Sequence, residues 1–445
     1  MSAAEIRGAH ASRVLVPASR RHELLVNGLP VRISCPNSRS APGKSSAPQI
    51  PAKFVSPGRR NQHPGRVCSP EFWLHAFAVF LALALSARAG DWPMHRGGSQ
   101  LQGVAEMAAP AKAELAWTYA AGKPIKAAAA VAGGRVFFGD DAGIIHAVDF
   151  ATGKQVWTFK TEAGIEATPL VLNDTVFIGS SDAFFYALEA ATGKLKWKYE
   201  TGDKILGGAN YAKNPNGEGI WLLVGSYDSN LHCIDAATGK AVWTHSTDNY
   251  INGTPAIFST GEIVFGGCDS FIHVLSLTDG KEVRQIESEA YIASSVAVID
   301  GLGYVGNYGN IVIAFDPKSG EIKWKYRDRN FPYYSSAALT ADRVIIGGRD
   351  KRLHAIERAT GKGVWTFQSR GQVDSSPVIC GDAVIVGSED GRLYCVGLAD
   401  GKERWAYEIG AGITASPAAA DGLIIVGAED GNLYAFGKPT QAAKP

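Results

Sequence analysis

AVDFATGKQVW, residues 147–157, returns as ALEAATGKLKW ending at Trp197 and as CIDAATGKAVW ending at Trp243. It returns again as AFDPKSGEIKW ending at Trp324, AIERATGKGVW ending at Trp365 and CVGLADGKERW ending at Trp405. Each copy runs through a small residue, an apolar residue, an acid in most copies, a turn centred on Gly, and a closing aromatic. Gly permits the positive φ of a tight turn, and the Thr, Asp or Ser beside it offers a local hydrogen bond to the freed backbone. Each copy therefore reads as strand, hairpin, strand.

A second landmark gives the period. A Gly ends a short apolar run at Gly139, Gly179, Gly225, Gly266, Gly306, Gly347, Gly387 and Gly427, in steps of 40, 46, 41, 40, 41, 40 and 40 residues. Such a period, in β-branched runs punctuated by Gly and Asp, is the pattern of a propeller. Between the landmarks lie GIEATPLV from Gly164, VFIGS from Val176 and AFFYALE from Ala183, which with the Trp strand make four strands per unit. The first Trp strand, Leu115 to Tyr119, has no preceding partners, and the last unit lacks its own Trp strand. The expected fold is all-β: an eight-bladed propeller of four-stranded antiparallel blades, the last blade closed by the N-terminal strand, which leaves no free edge between first and last blade.

The repeat resembles the tryptophan-docking motif of the pyrroloquinoline-quinone-like (PQQ-like) propeller family, over about Trp92 to Phe436. The resemblance implies that Trp117, Trp157, Trp197, Trp243, Trp324, Trp365 and Trp405 each pack against the next blade. A buried aromatic removes roughly 150–250 Å² from water, enough to make these residues the main glue between blades. VLSLTDGKEVR departs from the pattern by placing Arg284 where Trp belongs. The seam after that blade is expected to be the weakest, or to use the Arg stem as an apolar substitute.

The chain divides into 1–71, 72–89, 90–114, 115–437 and 438–445. The first part is rich in Pro, Ser and Arg and has no periodicity, so it reads either as a disordered basic extension or as sequence upstream of a later start, with Val55 as the alternative initiator. Phe72 to Leu85 is apolar apart from His75 and is followed by Ala87-Arg88-Ala89, the pattern of a secretory signal peptide cleaved after Ala89. At about fourteen residues it is shorter than a membrane span of ~20. The expected location is the periplasm or the extracellular space, with no transmembrane span in the mature chain. Residues 1–89 hold 12 Lys and Arg against 3 Asp and Glu, so the rest holds 32 against 40, a net −8 instead of the formal +1. An acidic propeller without a basic stripe does not suit nucleic acid.

Beyond residue 89, Cys233 and Cys395 occupy the small-residue slot of blades three and seven and read as buried apolar fillers. No adjacent Cys pair and no lipobox Cys follows the secretory segment. His146, His232, His273 and His354 share one repeat position, filled elsewhere by Tyr186, Tyr394 and Tyr434. Residues one repeat apart stand on different blades, so these four read as flat side chains between blades, with no shared metal. His95, in WPMHRGG, falls outside the pattern.

Propeller sites gather where the innermost strands begin. Aligning the copies on Ile125, Ile165, Ile205, Ile251, Ile292, Val373 and Ile413 is imperfect only in blade six. One position earlier, blades four to six present Tyr250, Tyr291 and Tyr333. One position later stand Lys126, Glu166, Leu206, Asn252, Ala293, Tyr334, Asp374 and Thr414, a mixed polar ring. RDRNFPYY, with Arg327, Arg329, Phe331, Tyr333 and Tyr334, joins Arg349 and Arg352 as an aromatic and cationic arc suited to a peptide, an acidic loop or a sugar. Blade three carries an insertion, Asn210 to Gly219, on the opposite face.

Quinoprotein alcohol dehydrogenases of this family imply oxidation of an alcohol or sugar by PQQ held with Ca²⁺. They use a vicinal disulfide, a Trp floor, and Asp, Glu and Asn ligands; here only Glu166, Asn252 and Asp374 are of the right type. The preferred expectation resembles the family's non-catalytic members, notably the propeller that scaffolds outer-membrane barrel assembly. That resemblance implies binding of an extended protein segment; a monomer and no cofactor are expected beside it. A carbohydrate-binding cell-surface protein, with a glycan as ligand, is the third alternative.

Overall fold

The computed structural model describes residues 90–258 and 261–439; the expected extension, the secretory segment and most of the C-terminal tail lie outside these residues. Eight sheets follow one another along the chain, six of them with their strands in sequence order and the last two each joined by a strand from the N-terminal part. Blade one comprises Ala130–Ala132, Arg135–Gly139, Ile144–Asp149 and Gln155–Lys160, all antiparallel. Blade eight takes three strands from the C-terminal end, Ala418–Ala420, Leu423–Gly427 and Asn432–Gly437. Its outermost strand is Leu115–Ala120, antiparallel to Asn432–Gly437 with Leu115 opposite Phe436. This is the closure expected from the orphan Trp strand.

The period-setting glycines exist because another side chain occupies their Cβ position. A Cβ on Gly139 would lie 2.2 Å from Ile165 Cγ2, and one on Gly427 would lie 2.3 Å from Ile125 Cγ2. Every blade thus receives, in a notch on its second strand, the side chain that opens the next blade's inner strand. In blade six that side chain is Tyr333, seated in the notch of Gly306.

A β-bulge in each outer strand, one residue before the Trp or, in blade four, before Arg284, turns that side chain toward the next blade. Trp157 Nε1 donates to Ala190 O at 2.9 Å, and its ring lies over the turn glycine Gly193, where a Cβ would come within 2.7 Å. Trp117, Trp197, Trp243, Trp324 and Trp365 donate in the same way to Phe150, Ala236, Leu277, Arg358 and Leu398. Blade eight has no hairpin at this place, so Trp405 Nε1 donates to Pro110 O instead. Arg284 takes the Trp role with its stem against Gly320 and Nη2 donating to Lys318 O at 2.8 Å. Its Nε is buried without a partner, a cost the Trp seams do not carry.

The recurrent histidines hold blades together. His146 stacks on Phe138 at 4.7 Å and its Nε2 faces Asp140 Oδ2 at 3.1 Å. A carboxylate only accepts, so Nε2 carries the proton and Nδ1 accepts from Tyr119 OH at 3.0 Å, across the seam. The same Tyr–His–Asp line joins Tyr199, His232 and Asp228, and Tyr326, His354 and Asp350. Where Tyr replaces His, at Tyr186, Tyr394 and Tyr434, the hydroxyl donates directly to Asp182, Asp390 and Asp430.

The lead-in segment is the least foreseen part of the fold. Trp92 exchanges two hydrogen bonds with Val131 of blade one, and Pro93 O accepts from Val171 of blade two. Ser99 O accepts from Asn210 Nδ2 of blade three and from Ile257 of blade four. Gln100, Gln102 and Gly103 then accept from Val298, Leu339 and Ile379 of blades five, six and seven. Val104–Ala105 finally adds a parallel fifth strand to blade seven against Val378–Cys380. Met94 and Leu101 anchor the segment as fully buried side chains. In blade three, Asn210–Lys213 is strand, so the expected insertion shrinks to the turn before Ile220–Gly225, where Asn216 reaches Thr278 O.

Gly427→Ala is expected to lower stability by about 1–3 kcal/mol through overpacking against Ile125, whereas Gly98→Ala, with open space at its Cβ, should leave it unchanged; thermal unfolding of both variants checks this. Burial pushes the Asp228 carboxyl up, but hydrogen bonds from His232, Gly202 and Asn230 outweigh it and bring it from 3.8 to about 2. A depressed acid stabilises the fold above its unfolded value, and that contribution is lost as pH falls toward the folded one. The melting-temperature gap between wild type and Asp228→Asn should therefore be constant above pH 3.8 and close as pH falls through about 2.

Candidate functional site

A cavity of about 310 Å³ opens at the start of the inner strands. All eight residues of the expected mixed ring line it: Lys126, Glu166, Leu206, Asn252, Ala293, Tyr334, Asp374 and Thr414. Strand alternation puts a second tier two residues further along, Ala128, Thr168, Gly208, Thr254, Ser295, Ser336, Ser376 and Ser416. In that tier the amides of Thr254, Ser295, Ser336 and Ser376 donate to the hydroxyls of Ser295, Ser336, Ser376 and Ser416 at 2.9–3.0 Å, one blade to the next. These bonds knit the inner strands where no sheet pairing exists.

His95 of the lead-in forms part of the cavity wall, with Nδ1 3.4 Å from Thr168 Oγ1. Burial, aided by the adjacent Arg96 charge, brings its pKa down to about 3, so the ring is neutral. Arg96 is itself buried, at a φ of 61°, with Nη2 donating to Ala337 O, and burial lowers it to about 9.

At the mouth the two halves of the ring differ. Arg349 holds Asp374 with three hydrogen bonds of 2.7–3.1 Å and lies over the Tyr334 ring at 4.6 Å. Tyr308 lies tilted beside Tyr291 at 4.5 Å, and Tyr227 stacks on Tyr250 at 4.6 Å with Lys204 over the Tyr227 ring. Tyr250, Tyr291 and Phe331 are 45%, 47% and 48% exposed, so these aromatic faces are open to a ligand. Arg327 donates to Gly309 O, and Arg329 lies near Asp328. Blades three to six thus present the aromatic and cationic arc. The remaining blades present Glu166, Glu389, Glu429 and Asp141, the last paired with Lys126 at 2.8 Å. Burial and the neighbouring Asp374 push the Glu389 carboxyl above its usual range.

Tyr333 does not belong to this arc. It is 2% exposed, plugs the Gly306 notch and packs on His354, so the rim position of blade six is Pro332 and the triple-tyrosine row reduces to Tyr250 and Tyr291. The alignment missed this because blade six alone uses Tyr where its siblings use Ile or Val. It also missed Tyr227 and Tyr308, which stand two residues after the period glycine, as do Asp141, Cys268, Arg349, Glu389 and Glu429. Each of these donates its amide to the carbonyl of the residue before a notch plug, as Tyr308 does to Tyr291. That fixed offset was available in the repeat.

Fold and mouth together define a propeller of PQQ-like repeats whose channel is walled by polar side chains and by His95 of its own N-terminal segment. The chain belongs to the family described as outer membrane protein assembly factor BamB, whose model matches residues 102–211, 214–366 and 349–442. It is 32% identical over 98 residues to a quinohemoprotein alcohol dehydrogenase of Comamonas testosteroni, over 19% of this chain and 14% of that one. It is 23% identical over 113 residues to outer membrane protein assembly factor BamB of Nitrosomonas eutropha, over 25% of this chain and 27% of that one. These matches span well under two thirds of either relative's length. The structure of BamB from Moraxella catarrhalis superposes with a TM-score of 0.62 at 18% identity, over 73% of this chain and 99% of that one, which shows the shared fold.

The mouth does not fit a quinone with Ca²⁺. Ca²⁺ takes six to eight converging oxygens, yet Asp374 is already held by Arg349 and the Asn252 amide points at Cys268 Sγ, 3.1 Å away. The cavity wall formed by the lead-in is His95, beside small hydroxyls and no indole, and Cys268 is a free thiol. Among the described residues, the His, Cys and carboxylate groups that do converge lie elsewhere, at His245–His273–Glu282 and at Asp328–Asp350–His354.

Two adjacent tyrosines should separate fold from site. Tyr333→Ala is expected to cost about 3–5 kcal/mol, as for a buried aromatic, while Tyr334→Ala leaves the unfolding midpoint within experimental error; chemical denaturation of both variants checks this.

Proposed function

We propose that this protein is an exported, non-catalytic scaffold that holds an extended polypeptide segment across the channel mouth. The observation that carries this reading is the divided rim. Exposed Tyr250, Tyr291 and Phe331 with Arg349 and Lys204 occupy one half, and the carboxylates of Glu166, Glu389 and Glu429 occupy the other. Rigid aromatics on a preformed ring lose little entropy on binding and act as anchors. The ligand that complements both halves is a segment with aromatic or apolar side chains at one end and Lys or Arg at the other. Export is supported by the apolar run 72–85 with its small-residue site and by the −8 charge of the remainder. The printed names of BamB relatives, as assembly factors, agree with a protein partner.

A peptide array read by fluorescence anisotropy tests the proposal. Peptides with an aromatic–basic pattern should bind, and Tyr250→Ser with Tyr291→Ser should weaken them at least tenfold at unchanged stability, about 1.4 kcal/mol or more. Equal binding by wild type and variant would defeat the rim assignment. Dye-linked alcohol oxidation by the purified protein supplied with PQQ and Ca²⁺ would overturn the non-catalytic reading, and selective capture of glycans over peptides would transfer the rim to carbohydrate.

A further inference from the structure

Blade four breaks the Tyr–His–Asp pattern at one place. Opposite His146, His232 and His354 the preceding blade's outer strand carries Tyr119, Tyr199 and Tyr326; opposite His273 it carries His245. The outer strand of blade four also opens with Glu282, where blade one has Gln155, whose Oε1 lies 2.9 Å from Tyr119 OH. The two changes together bring two imidazoles and a carboxylate to one seam. His273 Nδ1 lies 2.7 Å from Glu282 Oε1 and His245 Nε2 lies 3.9 Å from it, and one ligand atom from each residue falls within 4.8 Å of the others.

The geometry points to a Zn²⁺ site, and we propose that His245 Nε2, His273 Nδ1 and a Glu282 carboxylate oxygen bind the ion, with water at the fourth position. Tetrahedral bonds of about 2.0–2.1 Å put neighbouring ligand atoms roughly 3.3–3.4 Å apart, between the two separations found here, so small side-chain rotations complete the set. His273 is held for this task. Its ring stacks on Phe265 at 4.9 Å and its Nε2 is bound by Asp269 Oδ2 at 2.9 Å, leaving Nδ1 as the ligand atom. A carboxylate behind a ligating imidazole orients it and raises its basicity. Two imidazoles and one carboxylate favour zinc over calcium or magnesium, which prefer all-oxygen shells. The His245 and Glu282 side chains keep 16% and 32% of their surface exposed, which gives the ion a path from solvent, while His273 is closed in. The cluster at Asp328, Asp350 and His354 offers one imidazole only, and Asp328 is engaged by Arg352.

The sibling blades supply the test variant. His245→Tyr installs the side chain that blades one, three and six pair with, so the seam should gain the hydroxyl contact of those blades while losing a ligand. The full chain, stripped with chelator, is titrated with Zn²⁺ by calorimetry and with Co²⁺ by visible spectroscopy. Wild type should bind one more equivalent of Zn²⁺ than His245→Tyr, show tetrahedral Co²⁺ bands that the variant lacks, and gain thermal stability from Zn²⁺ that the variant does not. Asp269→Asn, which leaves every ligand in place, should weaken binding about 10–100-fold. Equal stoichiometry and spectra in wild type and His245→Tyr would overturn the assignment. Should that variant fail to fold, Glu282→Gln, at a partly exposed position, carries the same comparison with the same two outcomes.

Discussion

A side chain seated where a glycine has no Cβ, β-branched in seven seams and Tyr333 in the eighth, is the contact from which the rest of this molecule follows. Each of the eight notches takes one plug from the next blade, and Ile125 in the notch of Gly427 closes the circle between the chain's two ends. Burial of one such side chain is worth roughly 1.5–3 kcal/mol, and in seven seams an indole or the Arg284 stem lies over a turn glycine further out. The plug also fixes direction. With Ile165 turned into its notch, Glu166 must face the channel, and Thr168 two residues on must face it too. Both tiers of the cavity are consequences of that one packing decision.

The N-terminal segment solves the problems a ring of repeats leaves at its centre. Inner strands of neighbouring blades do not pair, and their edge amides would stay unsatisfied without a partner. From Trp92 to Gly103 the segment supplies carbonyls blade by blade, with hydroxyl–amide bonds between Thr254 and Ser416 completing the belt. It then lends Pro110 O to Trp405, replacing the hairpin that blade eight lacks. The cost appears at Arg96, whose Nε and Nη1 are buried without partners under a left-handed backbone.

Repetition frees individual positions for chemistry. Tyr119, Tyr199, His245 and Tyr326 occupy one and the same place in their outer strands, so the side chain can change there without altering the sheet. The three tyrosines bridge to histidine, while His245 meets His273 beside Glu282. At the mouth the same freedom separates an aromatic half from an acidic one.

The linear chain was sufficient for blade number, strand count, the closure by Leu115–Ala120 and the eight residues of the upper ring, because each is a periodic property carried by local turns and alternation. Arg284 as a Trp substitute was readable for the same reason. Three features were decided only in three dimensions. Tyr333 is a plug because the Gly306 notch accepts it, which its neighbour Tyr334 in the same dipeptide gives no hint of. His95 reaches the cavity because a segment outside the repeat is threaded along the inner strands of blades one to seven. His245, His273 and Glu282 meet across a seam between blades. Contacts between residues at different phases of a repeat depend on how neighbouring blades are rotated and packed, and periodicity along the chain carries no record of that rotation.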